Sequence, residues 1–263
     1  MKSYLMRLLL LFALFVHEGV AADLENNGSS MACANAVAAS EDGSDNGFDD
    51  EFSSCDQKVY DPLEGYNRWM TSFNDKVFLY LLDPVARGYS AILPQPARIG
   101  VSNVVNNLKF PLYFSNNLLQ LKADGSAREL ARFMINSTIG LLGLIDVATQ
   151  IGIKPAREDF GQTLGYWGVG SGFHLVLPFL GSSNLRDTLS LGVDWAASPL
   201  SYTGGNYQIP NNALEATGIK AAEMVNTTSL HLGEYQSLKK DALDWYTFLR
   251  NSYEEKREKE IDE

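Results

Sequence analysis

The stretch from Glu158 to Gly181, EDFGQTLGYWGVGSGFHLVLPFLG, decides how this chain can fold. Gly161, Gly165, Gly168, Gly170, Gly172 and Gly181 divide it into pieces too short for a long helix, and Tyr166, Trp167, Phe173 and the run Leu175 to Leu180 lie between them. Such glycine density admits left-handed backbone and close approach of other chain, while the apolar flanks supply surface to bury. A tight hairpin filling a gap in a core is the expected structure, ahead of a moving or ligand-facing loop. Two catalytic readings fail on spacing. A dinucleotide or phosphate loop needs glycine where Phe173 stands and a Lys-Ser/Thr step that does not follow. A nucleophile elbow needs one residue between Ser171 and each flanking glycine, but Gly170 and Gly172 adjoin it.

Upstream of this stretch the pattern is helical. Asp61-Pro62-Leu63-Glu64 reads as a helix start with Asp61 as N-cap. The following stripe, Tyr66, Trp69, Met70, Phe73, Val77, Phe78, Leu81 and Leu82, is the spacing of a core-facing helix. Asp83-Pro84 starts a second helix in the same way, and Pro94-Gln95-Pro96 ends it. Further helices are expected over about 97–108, from Pro111 to Leu121, and from a Ser126–Glu129 capping box to Ser137. The segment Ile139 to Ile153 is apolar nearly all round, so it is deeply buried or meets lipid. Downstream, Ser183 caps a helix to about Ala197, residues 212–226 are helical, and Lys239 to Glu260 forms one amphipathic helix with Leu243, Tyr246, Phe248, Leu249 and Tyr253 inside. Its mixed-charge end, Glu254 to Glu263, reads as a solvated tail.

The ends differ from the middle. Of 263 residues, 45% are apolar, enough for a substantial core, and the net charge is −11. Nine acidic residues and no Lys or Arg lie between Asp23 and Gln57, whereas Lys58 to Gly205 holds twelve basic and eleven acidic residues. The body is therefore near neutral, and with no basic stripe interleaved with aromatics, no nucleic-acid partner is expected. Lys2, Arg7, the apolar run Leu8 to Val16 and Val20-Ala21-Ala22 form a signal peptide over 1–22, cleaved near Ala22. Residues 23–57 read as an acidic disordered leader, 58–205 as a helical body, and 206–263 as C-terminal helices packing on it. Cys33 and Cys55 lie too far from the apolar run for an ordinary lipidation signal, and form either one disulfide across the leader or two free thiols.

Catalytic chemistry finds little support. His174 and His231 have no Cys or His at metal-ligand spacing, and no cofactor or metal is expected. His174, between Phe173 and Leu175, reads as a hydrogen-bonded packing residue. Glu158-Asp159, just before a glycine, reads as a cap for backbone N–H groups.

A set of ordered motifs resembles the MlaA (VacJ) family. They are Asp61-Pro62-Leu63-Glu64-Gly65-Tyr66-Asn67-Arg68, Phe73-Asn74, Asp83-Pro84-Val85-Ala86, Pro94-Gln95-Pro96-Ala97-Arg98, Asn117-Leu118-Leu119-Gln120, Arg132 to Gly140, Glu158 to Gly165, and Leu177-Pro178-Phe179-Leu180-Gly181 with Arg186-Asp187. The resemblance runs from about Tyr60 to Leu200, with a weaker echo at Trp245 to Tyr253.

The resemblance implies a mainly α fold, a ring of short amphipathic helices around a central channel with at most one small β-hairpin. It implies a non-enzymatic outer-membrane component that takes misplaced phospholipid from the outer leaflet and passes it to a periplasmic lipid carrier of the MlaC type, beside a trimeric porin. By the same resemblance Phe73 and Asn74 shape the channel opening, Gly165, Gly168, Gly170 and Gly172 form a flexible loop beside it, and Arg186 is either structural with Asp187 or faces a lipid phosphate. Family members are typically lipoproteins, and the plain cleavage signal departs from that pattern. The alternative is a soluble periplasmic lipid-binding or scaffold protein, with a lipase a more distant third.

Overall fold

The computed structural model describes residues 59–202 and 207–263. The expected signal peptide, the acidic leader and the Cys33–Cys55 pair lie outside the described residues. Helix α1 (Glu64–Val77) passes through one π-helical turn (Phe78–Leu82) directly into α2 (Asp83–Ile92). Then follow α3 (Gln95–Leu108), α4 (Phe110–Leu119), α5 (Ala123–Thr138) and the single turn α6 (Val147–Gln150). After α7 (Phe160–Tyr166) comes the only sheet among the described residues, β1 (His174–Leu177) antiparallel to β2 (Gly181–Asn184), in the register His174 to Asn184 and Leu177 to Gly181. Helices α8 (Leu185–Ala197), α9 (Ala213–Leu230), α10 (Glu234–Asp241) and α11 (Trp245–Asp262) complete the chain. The fold is mainly helical, and the glycine-rich stretch forms the expected hairpin.

Several helix ends differ from expectation because their capping residues have tertiary partners. Asp61 does not cap α1. It accepts from Asn67 Nδ2 (2.8 Å) and from the Tyr246 hydroxyl, and lies near Arg250. Asp83 opens α2 with Pro84 in the first turn, as expected, but it caps nothing, since it sits in helical backbone and pairs with Arg87 at 2.8 Å. The π turn widens the helix by one residue just where Pro84 lacks an N–H, so the chain runs on without a break. Ser126 lies inside α5, and Glu129 accepts from Ala156 N (2.7 Å) instead of closing a capping box. Asn184, not Ser183, caps α8, by accepting from Asp187 N at 2.8 Å. The expected helix from Lys239 is two helices, because Asp244 caps a new start at Trp245 and leaves Leu243 fully exposed rather than inside.

The packing partners form a closed circuit. Helix α2 packs on α9, α9 on α3, α3 on α4 and α5, α4 on α7, α7 on α8, α8 on the hairpin, and the hairpin on α1, which leads back into α2. Helix α11 lies across the join, against α7, β2 and α1.

The interior is polar. The largest fully buried side chains include His174, Gln120, Asn67, Asn117, Asn184 and Asn226, and the buried apolar cluster among the described residues is Met70, Val176 and Tyr246. The large apolar residues are outside: Tyr80, Ile92, Leu142 and Leu214 are each at least 77% exposed. The α1 stripe read as core is largely surface as well, with Tyr66, Trp69, Phe73 and Leu81 exposed. The Ile139–Ile153 segment likewise turns Leu141, Leu142, Leu144 and Ile145 outward. Among the described residues no helix is long and apolar enough to cross a membrane.

Candidate functional site

Helix α1 holds the hairpin through two asparagines on one face. Asn67 donates to the His174 carbonyl (3.0 Å) and accepts from Val176 N (2.8 Å), while Asn74 donates to the Leu177 carbonyl (2.8 Å) and accepts from Phe179 N (2.8 Å). Seven residues of α-helix rise about 10.5 Å, so Asn67 meets the outer edge of β1 while Asn74 reaches the turn at the hairpin tip. Asn67 does for β1 what a residue of a third strand would do, taking the His174 carbonyl and the Val176 N–H on that edge. Phe179 is held at φ 64°, a left-handed conformation unusual for an aromatic residue. Its ring meets Phe73 edge-on at 5.6 Å, and Phe73 stacks on Trp69. Phe73 and Asn74 are thus brought together with the hairpin tip.

The glycines lie at the other end of β1 and do three different things. Gly165 belongs to α7, with Gly161 one turn before it. A Cβ at Gly161 would come within 2.6 Å of Asp187 and Arg257, and one at Gly165 within 2.9 Å of Ile261 and Arg186. These two positions let α8 and α11 close on α7. Gly168 and Gly172 take positive φ (82° and 72°), as the turns into and out of the loop require. Gly170 is exposed between them. The loop is braced by Arg186, whose backbone N–H donates to Ser171 O (3.1 Å) and whose guanidinium donates to Val169 O (3.3 Å) and Asp187 (2.9 Å).

Behind that loop lies a charged joint. Arg257 of α11 donates to both carboxylate oxygens of Asp159 (2.8 and 2.9 Å) and to Asp187 (2.8 Å), and Tyr253 donates to Asp187 (2.7 Å). Burial would lower the Arg257 pKa, but hydrogen bonds to the two carboxylates outweigh it and raise the value. Burial would likewise raise Asp187, yet Arg257 and Arg186 hold it below the usual range. Asp159 also forms a true capping box with Gln162, so Glu158-Asp159 does cap, through its second residue. Glu158 pairs with Lys122 at 2.9 Å. His174 is a hydrogen-bonded packing residue, its Nδ1 2.8 Å from Glu254. The sequence reading missed Arg257 by treating Glu254 to Glu263 as a solvated tail. The signal was present: Tyr246, Arg250, Tyr253, Arg257 and Ile261 recur at spacings of three and four.

Helices α3, α4 and α5 form an open cleft whose wall includes Asn106, Tyr113, Glu129, Arg132, Phe133 and Arg157. The carboxylates on this wall are engaged. Glu129 accepts from Ala156 N, and Asp146 accepts from Arg132 (2.8 Å) and Asn136 (2.9 Å). Burial would raise Asp146, but hydrogen bonds from Thr149, Arg132 and Asn136 outweigh it and hold the carboxyl at about 2.

A closed circuit of short helices that buries polar side chains and leaves large apolar ones outside defines a class of helical protein whose surface suits an apolar partner. Within that class, the family model "MlaA lipoprotein" matches residues 59–260, and the chain belongs to that family. It is 34% identical over 206 residues to an uncharacterised protein of Rickettsia felis, covering 78% of this chain and 79% of that one. It is 44% identical over 131 residues to the intermembrane phospholipid transport system lipoprotein MlaA of Escherichia coli K12, covering 48% of this chain and 52% of the relative. A solved chain from "Structural basis for maintenance of bacterial outer membrane lipid asymmetry" superposes with a TM-score of 0.65 at 34% identity, covering 76% of this chain and 98% of that one.

Proposed function

We propose that this protein moves phospholipid at the outer membrane without making or breaking a bond. It takes misplaced lipid from the outer leaflet through the middle of the helix circuit and passes it to a periplasmic lipid carrier. The observation that carries this reading is the inversion of polarity: exposed Ile, Leu, Trp and Tyr around the rim suit acyl chains, while the polar interior suits a headgroup. Membership of a family whose Escherichia coli relative is named for intermembrane phospholipid transport supports it. In this reading the protein sits at the periplasmic side of the outer membrane beside a trimeric porin. Phe73 and Asn74 set the position of the hairpin tip at the mouth of the passage, and the Gly168–Gly172 loop lies further along it.

The test is complementation of a Gram-negative host lacking its own MlaA. Surface phosphatidylethanolamine is counted with a membrane-impermeant amine label. Expression of the full chain should return surface phospholipid to the parental level. A membrane-resident, well-folded protein that leaves it elevated would sink the proposal.

A further inference from the structure

We infer that the cleft between α3, α4 and α5 holds a phosphate group, gripped by Arg157 with Tyr113 and Asn106. This rests on the reading that phospholipid passes through the circuit, and it adds the place where the headgroup pauses. Among the described residues, every other arginine has a carboxylate or carbonyl partner: Arg68 with Glu64 and Asp244, Arg132 with Asp146, Arg186 with Asp187, Arg250 with Asp61, and Arg257 with Asp159. Arg87 and Arg128 pair within their helices, and Arg98 donates to carbonyls. Arg157 alone has no acceptor, and it lines the cleft.

Two further donors on the same wall are unspent. The Tyr113 hydroxyl has no hydrogen-bond partner among the described residues, and neither has the Asn106 side-chain amide. Burial pushes the Tyr113 hydroxyl up to about 12, so it remains a donor at neutral pH. The neighbouring Lys109 is lowered by burial, opposed by its bond to Glu223 and reinforced by Lys220 and Arg157. Because Glu129 and Asp146 are already bonded, no free carboxylate competes for the guanidinium.

An open concavity with three unspent donors in its lining, one of them cationic and planar, suits the oxygens of a phosphate. The stacked rings of Phe110 and Phe133 (4.4 Å) form the apolar part of the wall, where the first carbons of a glycerol could rest.

The experiment uses the full chain in detergent micelles and two probes with the same fluorescent acyl chain, phosphatidylglycerol and the phosphate-free diacylglycerol. Arg157→Gln should weaken phosphatidylglycerol binding by about tenfold or more, the scale of one charge-assisted pair. Arg157→Lys should recover much of it, Tyr113→Phe should lose a smaller factor, and diacylglycerol binding should be unchanged throughout. Since Arg157 is exposed and unpartnered, its replacement leaves the packing intact. Retention of phosphatidylglycerol in the presence of excess sodium phosphate assigns the site to a lipid headgroup. Full displacement supports the phosphate site and assigns it to free phosphate. Equal phosphatidylglycerol affinity in wild type and Arg157→Gln overturns the site and leaves lipid transport standing. Failure of the wild type to bind either lipid overturns the transport reading and the site with it.

Discussion

Asp194 shows how one residue can be a cost that the rest of the structure carries. Burial first, and then repulsion by Asp159, push its carboxyl up to about 6, although it accepts from Phe160 N at 3.0 Å. Its folded pKa lies above the ordinary value of 3.8, so the folded state binds the proton more tightly and the charged form is penalised. That penalty is full above about pH 6, shrinks as pH falls, and is absent below 3.8. Asp194→Asn keeps the acceptor oxygen and should therefore stabilise the protein at neutral pH, by on the order of 1 kcal/mol after solvent screening is allowed for. The gain should fade through the acid range. Melting midpoints of both proteins across pH check this, and a gain independent of pH would refute it. At this scale the sequence was legible where a polar residue serves its own backbone, as Asp159 does with Gln162. It was misleading at Asp61, Glu129 and Asp83, whose carboxylates are taken by Tyr246, Ala156 and Arg87. Local chemistry proposes caps, and partners distant in sequence or unseen in the motif reassign them.

Among the elements, the joint between α1 and the hairpin is the one whose parts can be separated by mutation. Asn67 is fully buried and serves Asp61, His174 and Val176, whereas Asn74 lies nearer the surface and serves Leu177 and Phe179. Asn67→Ala should cost roughly 2–4 kcal/mol by stranding buried backbone groups, and Asn74→Ala roughly 1 kcal/mol, since water reaches the tip. Amide hydrogen exchange should show Val176 losing protection in the first variant and Phe179 in the second. Loss of Phe179 protection in neither variant would mean that Asn74 does not hold the tip. The hairpin itself was legible from glycine spacing, and most helices from their apolar stripes and prolines. The π turn was not, because an extra residue within a continuing stripe leaves no break in the pattern. The division at Asp244 was missed because the apolar spacing on either side of it looked continuous.

For the whole molecule, the apolar surface sets how the protein is held. High salt should leave it in the membrane and detergent should release it. Replacing Leu142 and Ile145, both exposed, with Asp should shift a large part of it to the salt-extractable fraction, since each carboxylate facing hydrocarbon costs roughly 2.5–3.5 kcal/mol. Fractionation followed by immunoblotting measures this. A double variant as firmly held as the wild type would show that this segment does not face lipid. This is also where the sequence was least decisive. The stripe on α1 identified an apolar face correctly, but amphipathicity cannot say whether that face meets protein or lipid. The proposal that it meets lipid rests on Asn67, Asn117, Gln120 and Asn226, whose burial leaves little room for an apolar core.

The polar interior has a consequence for how the protein reaches its destination. A chain whose buried apolar cluster among the described residues is Met70, Val176 and Tyr246 gains little from collapsing in water. Many of its large apolar side chains, Tyr80, Ile92, Leu142 and Leu214 among them, stay exposed on the described fold. Folding and arrival at the membrane are then coupled steps, and during the aqueous passage before them the exposed Leu, Ile and aromatic side chains invite aggregation.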